Sequence, residues 1–394
     1  MQNKESNDLH IELLSVNAMN AFARNISSSR AQMSGSHLSQ MLVVKGSTQR
    51  NIQTGVEVEF GKCTFNVAMP EDGEILEIIE RYAATLGQDS IKENPETLVI
   101  YENIHTKEIG TFALKPYCTN HQYFGYEYTA REGMKHLRVG AMIPKGTVFL
   151  DSPNVDSDGT YKYGIECNVA LMTHPAVSED GILICEDMLD RFAFKTYETR
   201  VAEWGQKQWA LNLYGDENNY KPFPDIGDYI REDGILMAFR DYEPVLLAPV
   251  EMSVKDCREV DLTFDTTIYA NGPGGRVIDV KMHHDLCNSN FAEVNMDAQS
   301  QKYDDARRVY YGKIVNFYQR MKKKRGDALV LTPEFHRLIV ESLSVTTEEK
   351  GQKVSKLYRQ TPLDDYRVEI VIEYDNKISI GNKLTGLAGD VLVK

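Results

Sequence analysis

The chain is poor in the residues and patterns that place a protein quickly. It has only two Trp and six Cys in 394 residues, and the cysteines (63, 118, 167, 185, 257, 287) stand far apart with no C-x-x-C pair. That spacing argues against a structural zinc site and against a disulfide framework, and it suits a reducing compartment. No apolar run approaches the roughly 18 residues a membrane-spanning helix needs. The opening stretch MQNKESNDLHIELLS lacks the apolar core of a signal peptide. The expected setting is therefore the cytoplasm, with no membrane partner. Enzyme signatures are missing too: there is no G-x-x-x-x-G-K-[ST], no G-x-S-x-G and no H-E-x-x-H. Positive charge is in deficit, with 44 Lys+Arg against 58 Asp+Glu for a net charge of −14. Net charge thus argues against coating nucleic acid, while leaving room for a local basic channel.

What is present is the make-up of an ordinary globular protein. Hydrophobic residues are 42% and charged residues 26%, which excludes a disordered or fibrous chain. The length implies two or three domains, or one large domain with an insertion. Val56, Val58 and Phe60 alternate with Glu57, Glu59 and Gly61, a period-two pattern that predicts a strand. Strands are also expected at Glu74 to Ile79, Glu96 to Ile104 and Tyr366 to Tyr374. The apolar runs Cys167 to Met172 and Ile182 to Cys185 read as short buried strands. Turn clusters at Pro144-Lys145-Gly146, Ser152-Pro153-Asn154 and Asp156-Ser157-Asp158-Gly159 punctuate this region, and the spacing suggests a barrel or sandwich. After about Phe194 the pattern changes, and a β-rich stretch runs from Asp225 to about Met282. A helix is expected over Lys302 to Lys324, its face marked by Tyr303, Ala306, Val309, Tyr310, Ile314, Phe317 and Met321. A shorter helix is expected at Pro333 to Ser342.

Single motifs carry little chemistry. The loop from Asn271 to Gly275 is Gly-rich, but no helix follows it to cradle phosphate, so a turn is the better reading. Asp156 to Gly159 lacks the further ligands of a calcium loop. His283 and His284 are adjacent, so on a strand they point to opposite faces and make a poor chelate. The basic run Lys322 to Arg325 suits a helix C-terminus, though it could also touch phosphate. Glu179 and Asp180 precede the apolar run Ile182-Leu183-Ile184. They either solvate a strand entrance or belong to a site that other residues complete.

Read in order, five segments resemble one family. Arg30-Ala31-Gln32-Met33-Ser34-Gly35-Ser36 with Gln40 is similar to N-R-A-L-M-G-x-N-M-Q-R-Q. Gln53-Thr54-Gly55-Val56-Glu57 is similar to V-G-T-G-x-E. Residues 142–189, MIPKGTVFLDSPNVDSDGTYKYGIECNVALMTHPAVSEDGILICEDML, resemble a run of K-x-G-x-x-L-A-D-G-P, L-G-x-N-x-x-V-A-F-M and F-E-D-A-I-x-I-S-E. Residues 265–284 resemble D-x-S-x-x-x-P-x-G-x-x-G-x-V-I-D-V-x-V, and residues 366–394 resemble a strand leading to G-D-K-x-x-G-R-H-G-N-K-G-V. These are segments of the β subunit of multisubunit DNA-directed RNA polymerases. Their order and approximate spacing are kept over nearly the whole chain.

The resemblance implies a fold that is mainly β with some α: a partial double-psi β-barrel interrupted by a flap-like α+β insertion. Residues 1–195 would form most of the barrel part, 196–365 the insertion, and 366–394 the return strand. It also implies roles. Arg30 falls where the family reaches the incoming nucleotide's triphosphate, and Gln40 where a Gln lies near RNA or template. Glu179 and Asp180 match the acidic pair beside the nucleotide, and Lys383 matches the first of two lysines that hold the RNA near its 3′ end. In the family the aspartate motif N-A-D-F-D-G-D that holds the catalytic magnesium belongs to the other large subunit, so the resemblance implies that another chain holds it, and nothing like the motif is found here. The implied partners are a β′-like subunit, the remaining β fragment or fragments, template DNA, RNA and nucleoside triphosphates.

Departures cut the other way. The second family lysine falls at Val391, the Arg-His pair at Leu387-Ala388, and the Asn before the first Arg at Ser29. A complete β subunit would also continue past Lys394. Two readings follow: a subunit of a divergent, split polymerase like those of large DNA phages, acting in host cytoplasm or virion, or a non-catalytic relative with a structural or transcription-regulating role.

Overall fold

Tyr366, Val368, Ile370 and Ile372 alternate with Arg367, Glu369, Val371 and Glu373, so the segment makes a strand with one fully apolar face. In the computed structural model, which describes residues 15–82, 91, 93–121, 123–175, 181–205, 208–241, 255–284, 297–347, 366–387 and 391–393, this strand (Tyr366–Asn376) is at the heart of a five-stranded antiparallel sheet. Phe194–Trp204 flanks it in unbroken register, from Phe194 opposite Asn376 to Trp204 opposite Tyr366. Arg276–His284 flanks the other side, and Phe124–Glu127 and Tyr117–His121 extend the sheet beyond Phe194–Trp204. The sheet thus joins chain stretches from before, within and after the 196–365 segment.

One extra residue lets both faces of this sheet pack. Val277 pairs with Ile372 and Asp279 with Val371, which leaves Ile278 as a β-bulge. Val277, Val280 and Met282 stay on the face shared with Val368, Ile370 and Ile372, while Ile278 joins Tyr197 and Val371 on the other. On the first face Trp204 stacks on both Phe239 and Tyr366 at 5.4 Å.

A second antiparallel sheet has the order Ile109–Leu114, Thr97–Asn103, Gly73–Glu80, Met142–Ile143. The helix Ala298–Arg325 ties the two sheets together. Tyr303 packs in the core of the first, whereas Tyr310, Ile314 and Phe317 pack on Ile79, Leu98, Ile100 and Ile109 of the second, with Phe335 and Ile339 of the next helix, Pro333–Thr346. Partly buried Arg81 adds a polar tie, pairing with Glu96 at 3.1 Å and with Asp279 of the first sheet.

The fold is mainly β with some α, as expected. The expected strands at Glu74 to Ile79, Glu96 to Ile104 and Tyr366 to Tyr374 and both expected helices are present. The long helix starts earlier than its apolar stripe, because Asp297 caps it and accepts the Ser300 N–H at 2.8 Å. Val309, placed on its buried face by spacing, is exposed.

Two expectations are overturned. Glu57–Lys62 is a helix, not a strand. The buried Glu57 carboxylate accepts the N–H groups of Thr54 (3.1 Å) and Gly55 (2.8 Å), which closes a turn that seeds helical geometry. Gly61 lets that helix touch the Gly159 carbonyl, where a Cβ would lie 2.0 Å away. The runs Cys167 to Met172 and Ile182 to Cys185 are neither strands nor buried: Val169 is 77% exposed, Leu171 98%, Met172 71% and Leu183 58%. Ile182 and Ile184 are half-buried, and the other apolar side chains of the two runs face outward.

The small motifs resolve as structure. Asn271 donates its N–H to Glu198 (2.9 Å), and the Gly272 carbonyl accepts from the Tyr374 hydroxyl (3.1 Å), so the Gly-rich loop is a folded turn. Asp156 to Gly159 is likewise a turn, with Gly159 at φ 83°. Arg325 of the basic run pairs with Glu102. Among the described residues, no helix is long and apolar enough to cross a membrane.

Candidate functional site

Three serines open the helix that carries Arg30. Ser27 is the N-cap, and its hydroxyl accepts the Arg30 backbone N–H at 3.4 Å, starting the helix Ser28–Ser39. Its buried side presents Ser34, Gly35 and Leu38. Gly35 lies directly on Asn17 of the preceding turn, where a Cβ would come within 2.5 Å of the amide and push the Asn17 side chain aside. The opposite stripe is Arg30, Met33, His37 and Gln40, spaced i, i+3, i+7 and i+10. Arg30, Met33 and Gln40 are exposed and His37 is half-buried.

Lys383 comes from the far end of the chain. The turn Ser379 to Asn382 is closed by the Asn382 side chain, which accepts the Ser379 N–H at 2.6 Å, and Gly381 takes φ 99°. The strand Lys383–Thr385 leaves this turn and pairs antiparallel with Val391–Val393, Lys383 opposite Val393 and Thr385 opposite Val391. The Lys383 side chain is exposed.

The two pieces meet. Thr385 Oγ1 lies 3.3 Å from His37 Nδ1. Buried Asn20 donates one amide to the Leu387 carbonyl (2.9 Å) and to Ser34 Oγ (3.4 Å), linking the N-terminal turn, the helix and the hairpin. Leu387 packs against the cluster of Met19, Leu38 and Tyr163, and the Tyr163 hydroxyl donates to the Met19 carbonyl at 2.6 Å. Arg50 caps this cluster, its guanidinium 4.3 Å from the Tyr163 ring centre. Burial and the nearby Lys383 charge together hold the His37 imidazole below its usual range.

Of the five residues singled out from sequence, the structure therefore brings Lys383 to the C-terminal half of the helix that bears Gln40 at its end. Arg30 sits two helical turns from His37, about 10 Å along the axis. Glu179 and Asp180 lie outside the described residues. Val391 pairs with Thr385, and Leu387 is an apolar packing residue. Among the described residues, no group of three or more His, Cys, Asp or Glu converges to hold a metal ion.

Sequence reasoning missed Asn20, His37 and Thr385. For His37 a signal existed: it lies seven residues after Arg30, on the same helix face. Asn20 and Thr385 gave none, because their partners are 367 and 348 residues away. No protein-family model matches the chain, and no curated protein matches it either.

Proposed function

We propose that this chain is a divergent subunit of a DNA-directed RNA polymerase, similar to part of the β subunit, that supplies nucleotide and RNA contacts but not the catalytic metal. The observation that carries the reading is the meeting of the Arg30–Gln40 helix with the Lys383 hairpin across nearly the whole sequence. Motifs that lie at opposite ends of the chain are adjacent in space, as a shared site requires. In this reading residues 1–195 and 366–394 belong to a partial double-psi β-barrel, and 196–365 is a flap-like insertion. The Arg30 guanidinium and the Lys383 ammonium meet phosphate oxygens and offset the charge that develops during nucleotidyl transfer. Gln40 lies towards RNA or template, and Glu179 and Asp180 stand beside the triphosphate. A β′-like partner holds the Mg²⁺ ion.

The outward-facing run of Val169, Leu171, Met172 and Leu183 supports a non-autonomous subunit. Apolar residues in an extended segment are a surface that a further chain covers. A second reading, a non-catalytic relative with a structural or transcription-regulating role, is favoured by Val391 and by Leu387, which pack or pair without offering a cation.

Affinity purification from the native source separates the two. Co-purification with a chain carrying the N-A-D-F-D-G-D motif, together with RNA synthesis on a DNA template, is the expected result. Recovery of the protein alone, or with capsid components only, overturns the reading. In the assembled enzyme, Lys383→Ala is expected to slow elongation about 30-fold or more, equivalent to about 2 kcal/mol or more of lost transition-state stabilisation. Unchanged elongation removes Lys383 from the transcript.

A further inference from the structure

The roles above leave His37 unused, although it stands where the helix and the hairpin touch. Lys383 and Thr385 are two apart on a strand, so their side chains leave the same face. Thr385 Oγ1 reaches His37 Nδ1 at 3.3 Å, which puts Lys383 on the same side of the hairpin as the imidazole. The Thr385 hydroxyl is also 3.1 Å from the Gly386 carbonyl, so it can donate there while its oxygen accepts from His37.

The charge that acts on the ring is positive. Arg30 lies on its own helix two turns away, and Lys383 faces it from the hairpin. Of the other packed elements, the turn Ser15–Met19 carries no charged residue, and Tyr163 brings Arg50, which stacks on its ring, with Glu57 and Glu166 close enough to act on its hydroxyl. Lys383 depresses His37, and among the described residues no carboxylate is found opposing that effect. A Lys and a His donor on one side of the hairpin, the imidazole held in place by Thr385, suit an anion with several oxygens.

We propose that His37, Thr385 and Lys383 form one subsite for a phosphate group, with the His37 imidazolium and the Lys383 ammonium donating to its oxygens. This rests on the polymerase reading and adds a residue to it. The phosphate is either a phosphodiester of the RNA strand or part of a nucleotide's triphosphate. Bound phosphate reverses the local electrostatics, since its negative charge favours the protonated imidazole that Lys383 alone disfavours.

The test follows the His37 ring proton by NMR in the full-length chain, with the signal assigned by its loss in His37→Gln. The pH midpoint is measured alone, with inorganic triphosphate, and with a single-stranded RNA decamer. The expected result is an upward move of about half a pH unit or more with at least one probe. His37→Gln should weaken that probe's binding about fivefold. A response to RNA alone assigns the subsite to the transcript, and a response to triphosphate alone assigns it to the nucleotide. An unmoved midpoint under saturating amounts of both probes overturns the proposal. If that null result accompanies probe binding that Lys383→Ala abolishes, the His37 subsite falls while the polymerase reading stands. If the wild-type chain binds neither probe, both lose their phosphate contacts, and co-purification then decides the larger reading.

Discussion

The region around the long helix and the region around the Lys383 hairpin are built in different ways. In the first, aromatic and aliphatic side chains from two sheets and two helices interlock: Tyr310, Ile314, Phe317, Phe335 and Ile339 are all at most 5% exposed. In the second, a twelve-residue helix and a three-residue strand are held by Asn20, by the His37–Thr385 contact and by the small Met19, Leu38, Tyr163 cluster. Phe22, beside Asn20, and Met33 of the helix are exposed. The first region is closed by its own residues. The second has exposed cations, exposed apolar side chains and few internal ties, which is how a surface awaiting other molecules is made.

The sharpest way to break this contrast is to damage each region in turn. Phe335→Ala removes a ring with no exposure from the joint between helices and sheet, and should lower global stability by about 3–5 kcal/mol in urea unfolding. A loss under about 1 kcal/mol would mean that the helix pair is not part of the core. Asn20→Ala should act locally. Hydrogen exchange of the amides at 383–387 is expected to quicken about fivefold to tenfold, an effect of about 1 kcal/mol, with a far smaller change in the global midpoint than Phe335→Ala causes. A global loss equal to that of Phe335→Ala would erase the distinction between the regions.

The smallest effect concerns pH at the edge of the core. Burial, and then the Arg307 guanidinium 3.1 Å away, push the His283 imidazole from 6.5 down to about 4. Between these values the unfolded chain takes up a proton that the folded chain refuses. Stability is therefore lost as pH falls from about 6.5 to about 4, and this contribution changes no further below that. The side chain is 39% exposed, so solvent screening limits the effect to about 1 kcal/mol. His283→Gln should lose that part of the pH dependence of the urea midpoint, and an identical profile in the variant would exclude His283 as its source.

Much of the closed region was legible in the sequence. The strand at 366–374 and the helix over 302–324 repeat their periods long enough to leave one interpretation. Glu57 to Lys62 did not, because six residues fit a period of two as well as a helical turn, and the deciding interaction is the Glu57 carboxylate on backbone N–H groups. Cys167 to Met172 misled for another reason: an apolar run announces burial but not by whom, and nothing in this chain covers it among the described residues. For the site, the resemblance put Arg30 and Gln40 in one segment, although no helix was expected there. It could not reveal that Thr385 would arrive beside His37, since that contact closes a loop of 348 residues.

The helix Ala298–Arg325 has a mechanical consequence. At 1.5 Å per residue its 28 residues make a rod about 42 Å long. One half is bolted to the five-stranded sheet through Tyr303 and the other to the four-stranded sheet through Ile314 and Phe317. A force that tilts either sheet is delivered along the rod to the other, so the two sheets turn together as arms of one lever rather than sliding past each other.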